Sequence, residues 1–146
     1  MNIEQKIKEL VEAVGSHYVH LIDGYELNAM MPKLARQYCD FTVNYVSEGG
    51  GFSVNTQGQL IEAARLQMMW CGVVPFDKDA TKEADAVQCI IDKKKETLRA
   101  FVAELNNSGY FQPVESWSYS VVPIRFDAVC ACLIANIEVR TTGECM

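Results

Sequence analysis

The cysteines have the most reactive chemistry to offer in this sequence: Cys39, Cys71, Cys89, Cys130, Cys132 and Cys145. Such a set staples short exported chains, and elsewhere it supplies metal ligands or nucleophiles. The opening Met1-Asn2-Ile3-Glu4-Gln5 is not the basic, then apolar, start of an export signal, so reduced thiols in an unexported protein are expected. No pair has the Cys-x-x-Cys spacing. Cys130-Ala131-Cys132 sits in a run that alternates like a strand, which turns both thiols to one face. A metal there would need further ligands brought in by folding from Cys39, His17 or His20. The expectation is six free thiols serving as small buried side chains, with no stoichiometric zinc and no cofactor.

The remaining polar groups point away from catalysis. His17 and His20 are three apart in a strand-like segment and so fall on opposite faces, as exposed or locally bonded side chains. The carboxylate pairs Asp77/Asp79 and Glu83/Asp85 lie in helix-entry segments, where acids meet the positive end of the macrodipole and stay solvated. Lys93-Lys94-Lys95 is expected on the wet side of a helix. Gly49-Gly50-Gly51, followed by Phe52 and Ser53, is a mobile loop and not a phosphate cradle, because no Lys-Ser/Thr follows. A nucleophile elbow, a dinucleotide glycine fingerprint and a His-Glu-x-x-His helix are all missing from the sequence, so no enzyme is expected.

Periodicity supplies the elements that would position these groups. Ile3, Ile7, Leu10, Val11 and Val14 form one face of a helix over Asn2 to Val14, with Gly15 after it as a C-cap. His17 to Ile22 reads as a short strand ending at Asp23-Gly24. Tyr25 to Arg36, interrupted by Pro32, reads as irregular. Gln37 to Val46 alternates as a half-buried strand. Thr56-Gln57-Gly58-Gln59 has the form of a capping box and predicts a helix from about Gln57 to Trp70, with Leu60, Ile61, Ala64 and Met68 on its stripe. A long helix from about Lys82 to Leu105 carries Val87, Ile90, Ile91, Leu98, Phe101, Val102 and Leu105 on one side. Ser116 to Ile124 and Ala128 to Arg140 alternate as two strands joined by a turn at Arg125-Phe126-Asp127, with Pro123 at a strand end or an edge. The sum is an α+β fold: an antiparallel sheet of about four strands, covered on one side by two or three helices.

Size and charge narrow the partners. A chain of 146 residues is one domain, and 49% apolar residues suffice for a core. Thirteen Lys and Arg against nineteen Asp and Glu leave a net charge of −6, which disfavours nucleic-acid binding through a basic face. No apolar run approaches the roughly 18 residues of a membrane helix.

One resemblance adds to this reading. Its residues are Trp117, the Arg125-Phe126-Asp127 turn and Cys145, set in a strand, a long helix with an Asn/Ser/Gly stop, an aromatic strand and a last strand running to the Cys. This arrangement resembles the small tail-completion or tail-terminator proteins of phages and prophages of gut bacteria, over most of Ser16 to Cys145. The resemblance implies a non-enzymatic virion protein that forms a ring at the end of the tail tube and contacts tail-tube or head-connector proteins. It implies residence in the bacterial cytoplasm during assembly and then in the virion. Self-association is expected through the C-terminal hairpin, with Trp117, Tyr119 and Arg125, and through the Glu48 to Ser53 loop, with Gly49, Gly50, Gly51 and Phe52. The alternative is a small cytoplasmic α+β module that binds a ligand or a partner.

Overall fold

The computed structural model describes residues 2–22, 24–45, 49–74, 79–125 and 129–145, with the backbone alone at 24–28, 80, 124, 125, 129, 144 and 145. In chain order the elements are α1 (Ile3–Ala13), β1 (His17–Leu21), α2 (Gly24–Gln37), β2 (Asp40–Tyr45), β3 (Gly50–Val54), β4 (Gln59–Val74), α3 (Ala80–Asn107), β5 (Ser118–Arg125), β6 (Val129–Arg140) and β7 (Glu144–Cys145). The fold is α+β, and the sheet is larger than expected. Seven strands lie in the order β1-β2-β4-β6-β5, with β3 and β7 also paired to β4. All pairs are antiparallel except β1 with β2, which α2 connects as a crossover.

The largest departure from expectation is β4, a strand where the sequence predicts a helix from about Gln57 to Trp70. Its Ala, Leu, Met and Gln residues are good helix formers, and Leu60, Ile61, Ala64 and Met68 do fit a helical stripe. The same stretch also fits a period of two: Ala64, Leu66, Met68 and Trp70 are buried on one face, Met69 and Cys71 on the other. Burial on both faces between two paired neighbours outweighs intrinsic propensity. The supposed capping box is a hairpin turn. Asn55 Oδ1 accepts from the amides of Gln57 at 2.9 Å and Gln59 at 3.0 Å, and Gly58 takes φ +77°.

Two further expectations fail for related reasons. The segment read as irregular is α2, because Met31, Leu34 and Ala35 bury one stripe while Pro32 removes only a single donor. Within the glycine-rich segment, Gly50–Val54 is a strand, and Glu48 lies outside the described residues. The sheet is covered on both sides and not one. α1 and α3 pack on the face of Trp70, Leu133 and Ile137, and α2 packs on the face of Phe41, Val43, Cys71 and Cys132.

The expected strands at Gln37–Val46, Ser116–Ile124 and Ala128–Arg140 are present as β2, β5 and β6, with Pro123 in the edge strand β5. α1 begins with a capping box between Asn2 and Gln5, and Asp79 caps α3 by accepting from Thr81 and Lys82. Asp77 and the Phe126-Asp127 turn lie outside the described residues. Among the described residues, no helix is long and apolar enough to cross a membrane.

α3 corrects two charged-residue expectations. Lys94 is buried, with 4% of its side chain exposed, and pairs with Asp40 instead of facing water with Lys93. Glu83 is buried too, while Asp85 is exposed. Lys94 can enter because its neighbour in the sheet has no side chain. A Cβ on Gly72 would sit 2.5 Å from Ile90 Cγ2 and 3.1 Å from Lys94 Cε, so only glycine lets α3 lie this close. Asp40 is the register partner of Gly72, which puts its carboxylate at the end of the lysine stem.

Two measurements check this packing. Phe101 is fully buried with its ring centroid 5.1 Å from that of Trp70, so Phe101→Ala should lower the unfolding free energy by about 3–5 kcal/mol in denaturant titrations; a loss under about 1 kcal/mol would place this face outside the core. Asp40→Ala removes the half-exposed partner of the buried Lys94 ammonium and should cost about 1–3 kcal/mol, whereas Lys94→Met should be near neutral. Equal losses from the two variants would contradict the account of a buried lysine that needs this carboxylate.

Candidate functional site

The expected interface residues fall on two opposite edges of the sheet. β3 pairs only with β4 among the described strands, and all five of its residues are exposed. Phe52 and Val54, 71% and 53% exposed, sit opposite Glu62 and Leu60 and so share the face that carries α1 and α3. β3 is two residues out of step with β2 along β4: Asn44 faces Met68 but Gly50 faces Ala64.

The three glycines are not equivalent. A Cβ on Gly50 would lie 2.2 Å from the Ala63 carbonyl oxygen, while the positions beside Gly49 and Gly51 are open. Gly50 is therefore fixed by packing, contrary to the expectation of a loop chosen for mobility.

On the far edge, β5 pairs only with β6 among the described strands. Tyr119 and Val121 are 47% and 45% exposed, and Lys95 Nζ stands 5.4 Å from the Tyr119 ring centroid, a cation–π contact from α3. Trp117 precedes the strand and is half-buried against the core under α3, unlike its exposed neighbour Tyr119. Arg125 ends β5 opposite Val129, and its side chain is outside the described residues.

Between the start of α1 and the β3–β4 hairpin lies a cleft of about 560 Å³, lined by Glu4, His20, Asn44, Phe52 and Glu62 among others. His20 Nδ1 is 2.7 Å from Glu4 Oε1. His17 is on the other face, stacked on Tyr38 at 3.8 Å, so the two histidines part as expected. Asn44 is almost wholly buried; its Nδ2 donates to the Tyr18 hydroxyl at 3.1 Å, and its Oδ1 has no hydrogen-bond partner among the described residues. Burial pushes the Tyr18 phenol up, and the Asn44 hydrogen bond pulls it part of the way back. Toward the other end of β1 and β2 the polar strip continues: Ser16 Oγ is 2.6 Å from Thr42 Oγ1 and donates to Asp40 at 3.2 Å. The His20–Glu4 pair has the form of a base held by an orienting carboxylate; the lining beside it includes Tyr45 and Glu62 but, among the described residues, no Ser, Thr or Cys.

The other face holds an unforeseen cluster. Cys71 in β4 is the register partner of Cys132 in β6, and Cys130 lies two residues on along the same face. Cys132 Sγ is 3.1 Å from Cys71 Sγ and 3.6 Å from Cys130 Sγ. All three thiols are buried. The partner that folding brings to Cys130 and Cys132 is thus Cys71; Cys39 is exposed, and neither histidine joins the cluster. Burial pushes the Cys71 thiol well up, the hydrogen bond with Cys130 raises Cys132, and Cys130, held by thiol contacts from Cys132 and Cys71, gives up its proton first. The predicted helix ends at Trp70 and leaves Cys71 without an element, and its pairing with Cys132 depends on a strand more than fifty residues away.

The glycine geometry gives a direct comparison. Gly50→Ala should lower stability by about 1–3 kcal/mol as β3 is forced off Ala63, and Gly51→Ala should change it by less than about 0.5 kcal/mol, both read from urea midpoints. Equal effects would show that the close approach at Gly50 does not hold the edge.

No protein-family model matches this chain, and no curated protein is similar to it in sequence.

Proposed function

We propose that this is a non-enzymatic assembly protein of the phage tail-completion kind, which associates head to tail through the β3 and β5 edges and closes into a ring. Among the described edge strands β1, β3 and β5, the last two carry exposed apolar side chains, and this observation carries the reading. Both offer unpaired strand backbone, and both carry exposed apolar side chains on the same face of the sheet: Phe52 and Val54 on one, Tyr119 and Val121 on the other. An open edge is a template for another strand, and monomers usually cover it or blunt it with charge or proline; Pro123 falls late in β5 and leaves Ser118 to Val122 ahead of it. Two different edges meeting make a heterologous contact, which closes into a ring when the rotation allows. Main-chain hydrogen bonds would supply register, and Phe52 and Tyr119 would anchor the contact. The net charge of −6 favours tail-tube or connector proteins with basic docking faces as neighbours. On this reading the protein works in the bacterial cytoplasm during assembly and ends in the virion.

The cleft beside β3 favours a second reading, a module that binds a small ligand or a partner's side chain. Its volume is in the range of small-molecule sites, and Glu4, His20 and Glu62 supply polar groups against the apolar wall of Phe52.

Light scattering on size-fractionated protein separates the two readings. The wild type should run as one discrete oligomer of several copies. The double variant Phe52→Lys, Val54→Lys should run as a monomer with an unchanged circular dichroism spectrum, its association weakened by roughly thirtyfold or more. A wild type that stays monomeric at high concentration ends the ring proposal and leaves the cleft.

A further inference from the structure

We propose that Cys71, Cys130 and Cys132 form a three-sulfur binding site for monovalent copper, enclosed between the sheet and α2. Their Sγ atoms all lie within 4.8 Å of one another, on two adjacent strands whose pairing fixes the geometry. A three-coordinate ion with metal–sulfur bonds of about 2.3 Å spaces its sulfurs about 4.0 Å apart. The observed 3.1 and 3.6 Å need only small side-chain rotations to accept one.

The donor set then selects the ion. It is all sulfur, with no imidazole or carboxylate, and Met31 and Met69 add two thioethers to the same apolar cluster. Sulfur donors of this kind select monovalent copper, zinc or iron–sulfur clusters. A structural zinc and an iron–sulfur cluster each take four protein ligands, whereas the grouping among the described residues holds three thiols. Monovalent copper is satisfied by three.

Binding involves no electron transfer. One copper(I) ion and three thiols give a copper tris-thiolate of charge two minus and three protons released to solvent. The Lys94 ammonium acts on Cys130 and Cys132 from across the sheet and offsets part of that charge. Walls of Leu21, Leu34, Phe41 and Val43 keep water and oxidants out, so the ion enters as the chain folds or as α2 lifts.

The test uses the reduced full chain under anaerobic conditions, with copper(I) supplied as its coloured bicinchoninate complex. Wild-type protein should withdraw one copper per chain, develop a near-ultraviolet sulfur-to-copper band, show three sulfur neighbours by X-ray absorption and melt at a higher temperature with copper than without. The variant Cys39→Ser, Cys89→Ser, Cys145→Ser should keep all four properties. Cys132→Ala and Cys71→Ala should each bind at least tenfold more weakly; should either fail to fold, the sulfur count on the wild type still decides. Copper left with the chelator overturns the proposal. So does copper lost in the triple serine variant, a coordination shell of nitrogen or oxygen, or a site that takes zinc and refuses copper.

Discussion

β4 is the strand on which the rest of the molecule depends. Its sixteen residues pair with β2 and β3 along one side and with β6 and β7 along the other. Val129 to Arg140 in β6 match it residue for residue from Val74 to Ala63. Because its even-numbered residues from Ala64 to Trp70 face α1 and α3 while Met69 and Cys71 face the α2 side, both apolar clusters share this one backbone. The two features with functional bearing hang from it as well: among the described strands β3 is held by β4 alone, and the thiol cluster forms because Cys71 lands opposite Cys132.

A second constraint is local and polar. Ser16, Thr42, Asp40 and Lys94 form a connected strip on the face covered by α1 and α3, and Tyr18 with Asn44 extends it toward the His20–Glu4 pair. Polar groups inside a core raise the cost of any arrangement that leaves them unpaired. This strip therefore fixes how α1 and α3 sit over β1 and β2, which apolar stripes alone would allow to slide. The bare Gly72 is what admits the Lys94 end of it.

Much of this fold was legible in the residues. α1 and α3 show because their stripes repeat every three or four residues for several turns, and β2, β5 and β6 show because wet and dry residues alternate along them. β4 was hidden because Ala63, Ala64, Leu66, Met68 and Met69 satisfy both periods, and only neighbours distant in sequence decide between them. α2 was hidden by Pro32, whose missing amide proved a smaller handicap than its stripe was a gain. Of the site residues, Phe52 emerges through a loop reading of what is a strand, and Tyr119 through an alternation that also puts the half-buried Trp117 on its face, so the residues were legible but their exposure was not. Nor was the strict requirement for Gly50, since it depends on a carbonyl thirteen positions later. Lys94 was misplaced for the same reason: its partner is contributed by another element.

The β4–β6 ladder also has a kinetic meaning. Its partners are separated by more than fifty residues of chain, including all of α3, so the loop between them must close before any of those ladder bonds can form. Until then a segment with helix-forming composition, holding Trp70 and two adjacent methionines, has only the β2 and β3 side to hold it as a strand. Contacts this distant in sequence slow folding and lengthen the time that apolar surface is open to other chains. During synthesis, moreover, the ribosome releases β6 long after β4. The nascent protein thus passes through an interval in which its central strand is half-paired, and a chaperone that holds extended apolar segments would find its natural substrate there.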